Sequence, residues 1–187
     1  AMRTLRALFN FARAEYKSSD GRTLFPHNPV TVLSEKRCWN NVARKQTRLR
    51  PSQLKPFLKV VNEMREEAIS YRQDFTATVC DFVEFMAFTG LRKTELLELE
   101  WKNVFLDDQL FCLDDTKNGH GLELPITKPL EEILKRRAEY RVSGFVFGAD
   151  NHHGRVMEPK KIIKKMNERA DVTFTLHDLR RTFCSVA

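Results

Sequence analysis

Apolar and polar positions alternate with a helical period at the start of the chain. Within residues 2–17 the apolar side chains follow one stripe and most basic side chains lie off it, which predicts an amphipathic helix. Residues 18–30 contain two prolines and an Asp-Gly pair, which predict a loop. Residues 36–50 are rich in Lys and Arg and poor in apolar side chains, so we interpret them as a basic linker.

A second series of helical patterns begins at Pro51. Ser52 is predicted to cap a helix that runs to about Ala68. Residues 75–88 are apolar on most sides, as is typical of a core helix, and Gly90 is predicted to end it. A short helix is predicted over residues 93–99.

The period changes to that of strands in the next part of the chain. Three short apolar runs predict a small antiparallel sheet, namely residues 104–105, 110–113 and 122–126. The turn-prone residues 118–121 separate the last two runs. Helical periodicity then returns, and helices are predicted over residues 129–140, over residues 159–170 and after Leu176.

The overall composition is that of an ordinary globular protein, with 42% hydrophobic and 30% charged residues. No apolar run approaches the roughly 20 residues that a membrane-spanning helix needs, and the start of the chain lacks the layout of a signal peptide. We therefore predict an intracellular protein. Its four cysteines are widely separated, without a zinc or disulfide pattern, and are predicted to be reduced and mostly buried.

Positive charge is concentrated at the front of the chain. Residues 1–60 contain 13 Lys and Arg against 3 acidic residues, whereas residues 61–187 contain 19 against 22. Such a segment suits a polyanion, because each phosphate that it neutralises releases condensed counterions. A solvated basic face with no partner explains the same charge, so both interpretations stay open at this point.

Four cationic or titratable side chains are candidates for chemistry: Arg92, Lys117, His177 and Arg180. Each has an ordinary structural explanation, because an Arg after a helix-ending Gly and a Lys in a hairpin are usually surface residues. His177 and Arg180 are three residues apart and share a helix face, yet such a pair commonly forms only a surface hydrogen bond. The four residues become specific only as a set.

Three motifs contain these residues. They are Thr89-Gly90-Leu91-Arg92-Lys93-Thr94-Glu95, then Thr116-Lys117-Asn118 with Leu124-Pro125-Ile126, and last Thr175-Leu176-His177-Asp178-Leu179-Arg180. In order and spacing they resemble the first-arginine motif, the catalytic-lysine hairpin and the His-x-x-Arg motif of the tyrosine recombinases, the phage integrase family.

The resemblance implies a domain organisation. Residues 51–187 would form the catalytic domain and residues 36–50 a basic linker, while residues 1–35 would be the end of a helical core-binding domain. The implied fold class is α+β: a mainly helical catalytic domain with a small antiparallel β-sheet, preceded by a helix from the core-binding domain.

The family's nucleophilic tyrosine has no counterpart at the expected place. In the family it follows the His-x-x-Arg motif by several tens of residues, whereas Tyr16, Tyr71 and Tyr140 all precede His177. We therefore expect a fragment that binds DNA but lacks its nucleophile and does not cleave.

The resemblance also implies a reaction. In the family a Tyr hydroxyl attacks a DNA phosphodiester, which gives a 3′-phosphotyrosyl intermediate and a 5′-hydroxyl that later attacks a partner strand. Arg92 and Arg180 are implied to bind the phosphate, because guanidinium groups are bidentate and permanently charged. Lys117 is implied to protonate the leaving oxygen. His177 would assist proton transfer or bind the phosphate, and Glu95 would orient the site.

The implied partner is double-stranded DNA, without a membrane, a metal or a cofactor. The predicted DNA-binding residues of the linker are Arg37, Arg44, Lys45, Arg48 and Arg50. A metal site is disfavoured, because the adjacent His152 and His153, and His120, lack the spacing of zinc ligands. The parent protein is expected to be a cytoplasmic, bacterial or phage-encoded homotetramer on DNA, and the fragment a monomer.

Two other functions remain open. The chain could be a DNA-binding accessory or remnant protein that uses this fold without chemistry of its own. It could also be related to the type IB topoisomerases, which share the Arg-Lys-Arg-His arrangement but only relax DNA.

Overall fold

The structure is a computed structural model that describes residues 2–40, 43, 47–113 and 121–186. It divides into two compact units, Ala1–Lys45 and Gln46–Ala187. The first unit contains α1 (Met2–Glu15), a 3₁₀ turn (Pro29–Thr31) and α2 (Val32–Glu35). Helix α1 has no buried residue, although Phe9 on its apolar stripe packs edge to face on Phe25 with ring centroids 6.5 Å apart.

Asn28 connects the elements of the first unit. Its side-chain amide donates to the carbonyl of Arg6 (3.0 Å) and to the side-chain oxygen of Asn10 (2.8 Å). Its own side-chain oxygen accepts from the N–H of Val30 at 3.0 Å. The predicted loop therefore ends earlier than expected, because Asn28 caps a helical turn and Pro29 occupies a first position where the missing N–H costs nothing.

The second unit is mainly helical. Its helices are α3 (Pro51–Ser70), α4 (Asp74–Thr89), α5 (Lys93–Leu97), α6 (Lys128–Glu139), α7 (Lys160–Ala170) and α8 (Leu176–Val186). Its strands are β1 (Val104–Phe105), β2 (Leu110–Leu113) and β3 (Leu122–Pro125). They form an antiparallel sheet in the order β1-β2-β3, in which Phe111 faces Val104 on one side and Leu124 on the other. The α+β fold class predicted from the sequence is confirmed.

Helix α4 lies in the core of the second unit. Phe82 and Phe85 are fully buried, and both pack edge to face on Phe147 with ring centroids 5.5 and 5.6 Å apart. Phe85 also packs on Phe111 of β2 at 5.6 Å. Apolar contact on several sides explains why residues 75–88 are apolar on most sides.

Two local predictions were wrong. Ser52 does not cap α3, because the helix starts at Pro51 and the side-chain oxygen of Gln53 accepts from the N–H of Arg50 at 3.0 Å. The cysteines are reduced but not mostly buried: Cys80 is buried, Cys112 is half-buried, and Cys38 and Cys184 are exposed. Burial, together with the charge of Asp81, raises the pKa of Cys80 to about 12, so this thiol stays protonated.

Candidate functional site

Arg92 is held at the junction between α4 and α5. Gly90 ends α4 in the left-handed conformation (φ 62°), and its N–H donates to the carbonyl of Met86 at 2.9 Å. The N–H of Arg92 then donates to Glu95 Oε2 at 2.8 Å. The same carboxylate pairs with the Arg92 guanidinium. Glu95 thus fixes both the backbone and the side chain of Arg92, which still leaves the Arg92 side chain 40% exposed.

Arg180 reaches the same junction from α8. Its Nη1 donates to the carbonyl of Gly90 at 2.6 Å, and Gly90 lies two residues before Arg92. Two Cα steps of about 3.8 Å each separate Gly90 from Arg92, so Arg180 contacts the same short turn that carries Arg92. The structure therefore brings the two motif arginines together.

His177 is exposed in the first turn of α8, one turn before Arg180. It lines a groove of about 430 Å³ together with Glu158 and Ile163. Glu158 accepts a hydrogen bond from Lys93 Nζ at 2.6 Å, and this bond lowers the pKa of Glu158. Because Lys93 follows Arg92 directly, this ion pair connects Glu158, at the groove of His177, with the first turn of α5.

Asp178 anchors the N-terminal end of α8. Its carboxylate accepts from Thr47 Oγ1 (2.6 Å), from Thr175 N–H (2.9 Å) and Oγ1 (2.7 Å), and from Arg181 Nη1 (2.7 Å). Burial acts to raise the pKa of Asp178, but the hydrogen bonds outweigh it and lower this pKa below 3.8. The charged Asp178 therefore fixes the helix turn that carries His177 to the preceding Thr175.

Two of the predicted DNA-binding residues lie beside α8. Leu49 is 2% exposed, and its N–H donates to Thr182 Oγ1 at 2.9 Å. The flanking Arg48 and Arg50 are exposed. Arg37 is exposed in the first unit. The other predicted DNA-binding residues, Arg44 and Lys45, lie outside the described residues.

Lys117 and His120 also lie outside the described residues. The described chain resumes at Gly121, after β2 ends at Leu113. Leu113 and Glu95 line one cavity of about 430 Å³. Leu113, the last described residue before the hairpin turn predicted to carry Lys117, and Glu95 therefore face the same cavity.

Helix α7 presents a basic face that the sequence interpretation missed. Its four lysines are exposed: Lys160, Lys161, Lys164 and Lys165. The side chains of Lys160 and Lys164 are 85% and 79% exposed and line the same groove as His177. The signal was the repeat of a Lys pair after four positions, which places both pairs on one helix face. Counting charge over residues 61–187 as one region, in which acidic residues slightly outnumber basic ones, obscured this pattern.

Histidines elsewhere do not form a metal site in the part of the chain that the structure describes. His152 and His153 are exposed and their rings lie 3.6 Å apart. Across residues 2–40, 43, 47–113 and 121–186, no group of three or more His, Cys, Asp or Glu side chains could hold a metal ion. None of the described helices combines the length and apolar character needed to cross a bilayer.

Sequence comparison shows the family. The sequence model of the phage integrase family matches residues 47–186, which is well over half of the chain. The chain belongs to the phage integrase family. A search among curated protein sequences found no significant match.

Solved structures share the fold at low sequence identity. The Tn1549 transposon integrase in complex with a circular intermediate DNA has a TM-score of 0.69 at 19% identity over 99% of this chain and 64% of its own. A lambda integrase dimer bound to a COC′ core site has a TM-score of 0.64 at 16% identity, over 98% of this chain and 63% of its own. XerH site-specific recombinase bound to its difH substrate has a TM-score of 0.60 at 16% identity, over 96% of this chain and 50% of its own. The chain thus spans only half to two thirds of these structures.

Proposed function

We propose that the chain supplies DNA-binding and catalytic residues of a site-specific recombinase that cleaves and rejoins DNA through a 3′-phosphotyrosyl intermediate. The observation that supports this most is the hydrogen bond from Arg180 to the Gly90 carbonyl. It holds the arginine of the His-x-x-Arg motif beside Arg92, although 88 positions separate the two (180 minus 92). Membership of the phage integrase family supports the same reaction.

Each motif residue has a proposed role at one phosphodiester. Arg92 and Arg180 bind the non-bridging oxygens, on which negative charge increases as the attacking oxygen adds to phosphorus. Glu95 positions Arg92. Lys117 gives a proton to the 5′-oxygen as the P–O5′ bond breaks, and His177 donates a hydrogen bond to the phosphate or assists proton transfer. The scheme uses no cofactor and no metal.

The proposed partner is double-stranded DNA. Lys160 and Lys164 of α7 line the groove of His177. Leu49, which lies between the exposed Arg48 and Arg50, is hydrogen-bonded to Thr182 of α8, the helix that carries His177. One phosphate backbone would therefore contact both groups of basic residues. We further propose that residues 1–35 belong to a core-binding domain, residues 36–50 to the linker and residues 51–187 to the catalytic domain. Arg37, Arg44 and Lys45 would then contact DNA from the linker.

We further propose that none of Tyr16, Tyr71 and Tyr140 is the nucleophile, because all three precede the His-x-x-Arg motif. The parent protein, bacterial or phage-encoded, would act as a homotetramer on DNA in the cytoplasm, and this chain alone would be a monomer.

Fluorescence anisotropy with a labelled duplex tests the proposal. We expect weak binding that falls steeply as salt rises from about 50 to 200 mM, since every neutralised phosphate releases counterions. Supercoiled plasmid should be neither nicked nor relaxed. Affinity that does not change with salt would contradict DNA as the partner. A covalent protein–DNA adduct would mean that Tyr16, Tyr71 or Tyr140 acts as the nucleophile.

A further inference from the structure

Phe183 touches the junction that holds Arg92. A Cβ atom placed on Gly90 would lie 2.4 Å from Cδ1 and 2.8 Å from Cγ of Phe183. Real Cβ atoms essentially never approach another atom this closely. The edge of the Phe183 ring therefore packs directly on the bare Cα of Gly90.

Arg180 and Phe183 contact Gly90 from the same helix face. They are three residues apart on α8, so their side chains are neighbours. Arg180 donates to the carbonyl of Gly90 at 2.6 Å, while the ring of Phe183 packs on its Cα. The hydrogen bond is directional and sets the orientation of the Arg180 guanidinium. The ring contact is steric and sets the distance between α8 and Gly90.

Phe183 has no comparable role in the hydrophobic core. It is half-buried, and it does not belong to the buried apolar cluster of the described residues or to the side chains packed against that cluster. Its contact with Gly90 is thus not part of the packing of that cluster.

We propose that Phe183 is a positioning residue that, together with Gly90, sets the separation between Arg92 and Arg180. This inference rests on the proposed function, in which both arginines bind one phosphate. Two guanidinium groups bind a tetrahedral anion jointly only if their spacing matches it. The junction is held by Glu95 on the side of α5, and the contact of Phe183 with Gly90 fixes it on the side of α8.

The first experiment measures the dissociation constant for inorganic phosphate by NMR titration of the 187-residue chain. Phe183→Ala should weaken binding about fivefold or more, and Phe183→Leu, which keeps an apolar group over Gly90, should restore most of it. Phe75→Ala is the matched control, since Phe75 is 45% exposed at the opposite end of α4. Urea denaturation of each variant separates lost folding from lost spacing.

Arginine variants distinguish failure of this inference from failure of the proposed function. If Arg92→Gln and Arg180→Gln bind phosphate as tightly as the unchanged chain, the proposed function fails. If these two variants lose binding but folded Phe183→Ala does not, the proposed function stands and the positioning role of Phe183 is wrong.

A double-mutant cycle tests the contact itself. Gly90→Ala should weaken phosphate binding strongly in the unchanged chain, because the new methyl group displaces the Phe183 ring. In the Phe183→Ala background the same change should reduce phosphate affinity by a several-fold smaller factor, since mainly the strain of the left-handed backbone at position 90 remains. Equal costs in both backgrounds would show that Phe183 is not the reason for glycine at this position.

Discussion

Arginines occupy two contrasting environments in the second unit. In the first, Arg65, Arg136 and Arg137 surround Asp81, whose side chain is 3% exposed, with N–O distances of 3.5, 3.0 and 3.8 Å. Glu84 pairs with two of these arginines. Burial raises the pKa of Asp81, although the three arginines oppose this shift. This cluster joins α3, α4 and α6.

The second environment is the junction of Arg92 and Arg180. Arg92 has one carboxylate partner and remains 40% exposed, and Arg180 donates to a backbone carbonyl. A guanidinium has five N–H donors, so both side chains retain donors for an incoming anion. Carboxylates thus commit the first group of arginines to stability, whereas a backbone carbonyl orients Arg180 without neutralising its charge.

The largest effect is expected in the buried cluster. Asp81→Asn leaves three guanidinium groups around a neutral amide, and it should lower the free energy of unfolding by about 3–5 kcal/mol. Urea denaturation measures the change. Glu63→Gln is the control, because its pair with Lys59 is exposed and such pairs contribute at most about 1 kcal/mol. A similarly small loss for Asp81→Asn would show that this cluster does not hold the helices together.

The basic face of α7 should affect DNA binding without affecting stability. Replacing Lys160 and Lys164 with Ala removes two cations, so the slope of log K against log salt should become shallower by about 1.8. Replacing Lys59 of α3 and Lys135 of α6, which do not line the groove of His177, should leave the slope unchanged. Equal slopes for all three proteins would remove α7 from the proposed DNA surface.

Arg180→Gln and Arg136→Gln should have opposite consequences. Arg180→Gln should weaken duplex binding about tenfold or more, since hydrogen bonds to a charged group contribute about 1.5–3 kcal/mol, with little change in unfolding. Arg136→Gln should lower stability while duplex binding stays the same. If both variants lower the free energy of unfolding and neither weakens duplex binding, the distinction between the two groups of arginines is wrong.

The smallest effect concerns pH and Asp178. The folded-state pKa of Asp178 is lowered, so its charged form stabilises the fold above the unfolded-state pKa, and this contribution is lost as pH falls through the folded-state value. The stability difference between the unchanged chain and Asp178→Asn, about 1 kcal/mol near neutral pH, should therefore shrink below about pH 4. A difference that grows on acidification would contradict the lowered pKa.

The local elements of the fold were predictable from the sequence because their signals are local. The core helix ended by Gly90 and the strand pattern around Phe111 depend on neighbours a few residues apart. The buried cluster was not predictable, since Arg65 and Arg136 reach Asp81 across 16 and 55 positions. Pro29 was misread as a breaker although a helical turn starts there.

The motifs located the candidate site but not what organises it. Arg92, His177 and Arg180 were chosen by order and spacing, and their roles remain proposals. The hydrogen bond between Thr47 and Asp178 spans 131 positions, and the contact of Phe183 with Gly90 depends on how α8 packs against α4. Such contacts leave no periodic trace in the sequence.

The most direct test of the central claim, that Arg92 and Arg180 bind one phosphate, is a crystal structure of the chain soaked in sodium sulfate. We expect a sulfate ion with oxygens within about 3.2 Å of nitrogens of both guanidinium groups, and its absence from crystals of Arg180→Gln. Sulfate bound elsewhere, with nothing between Arg92 and Arg180 at saturating concentration, would contradict the claim.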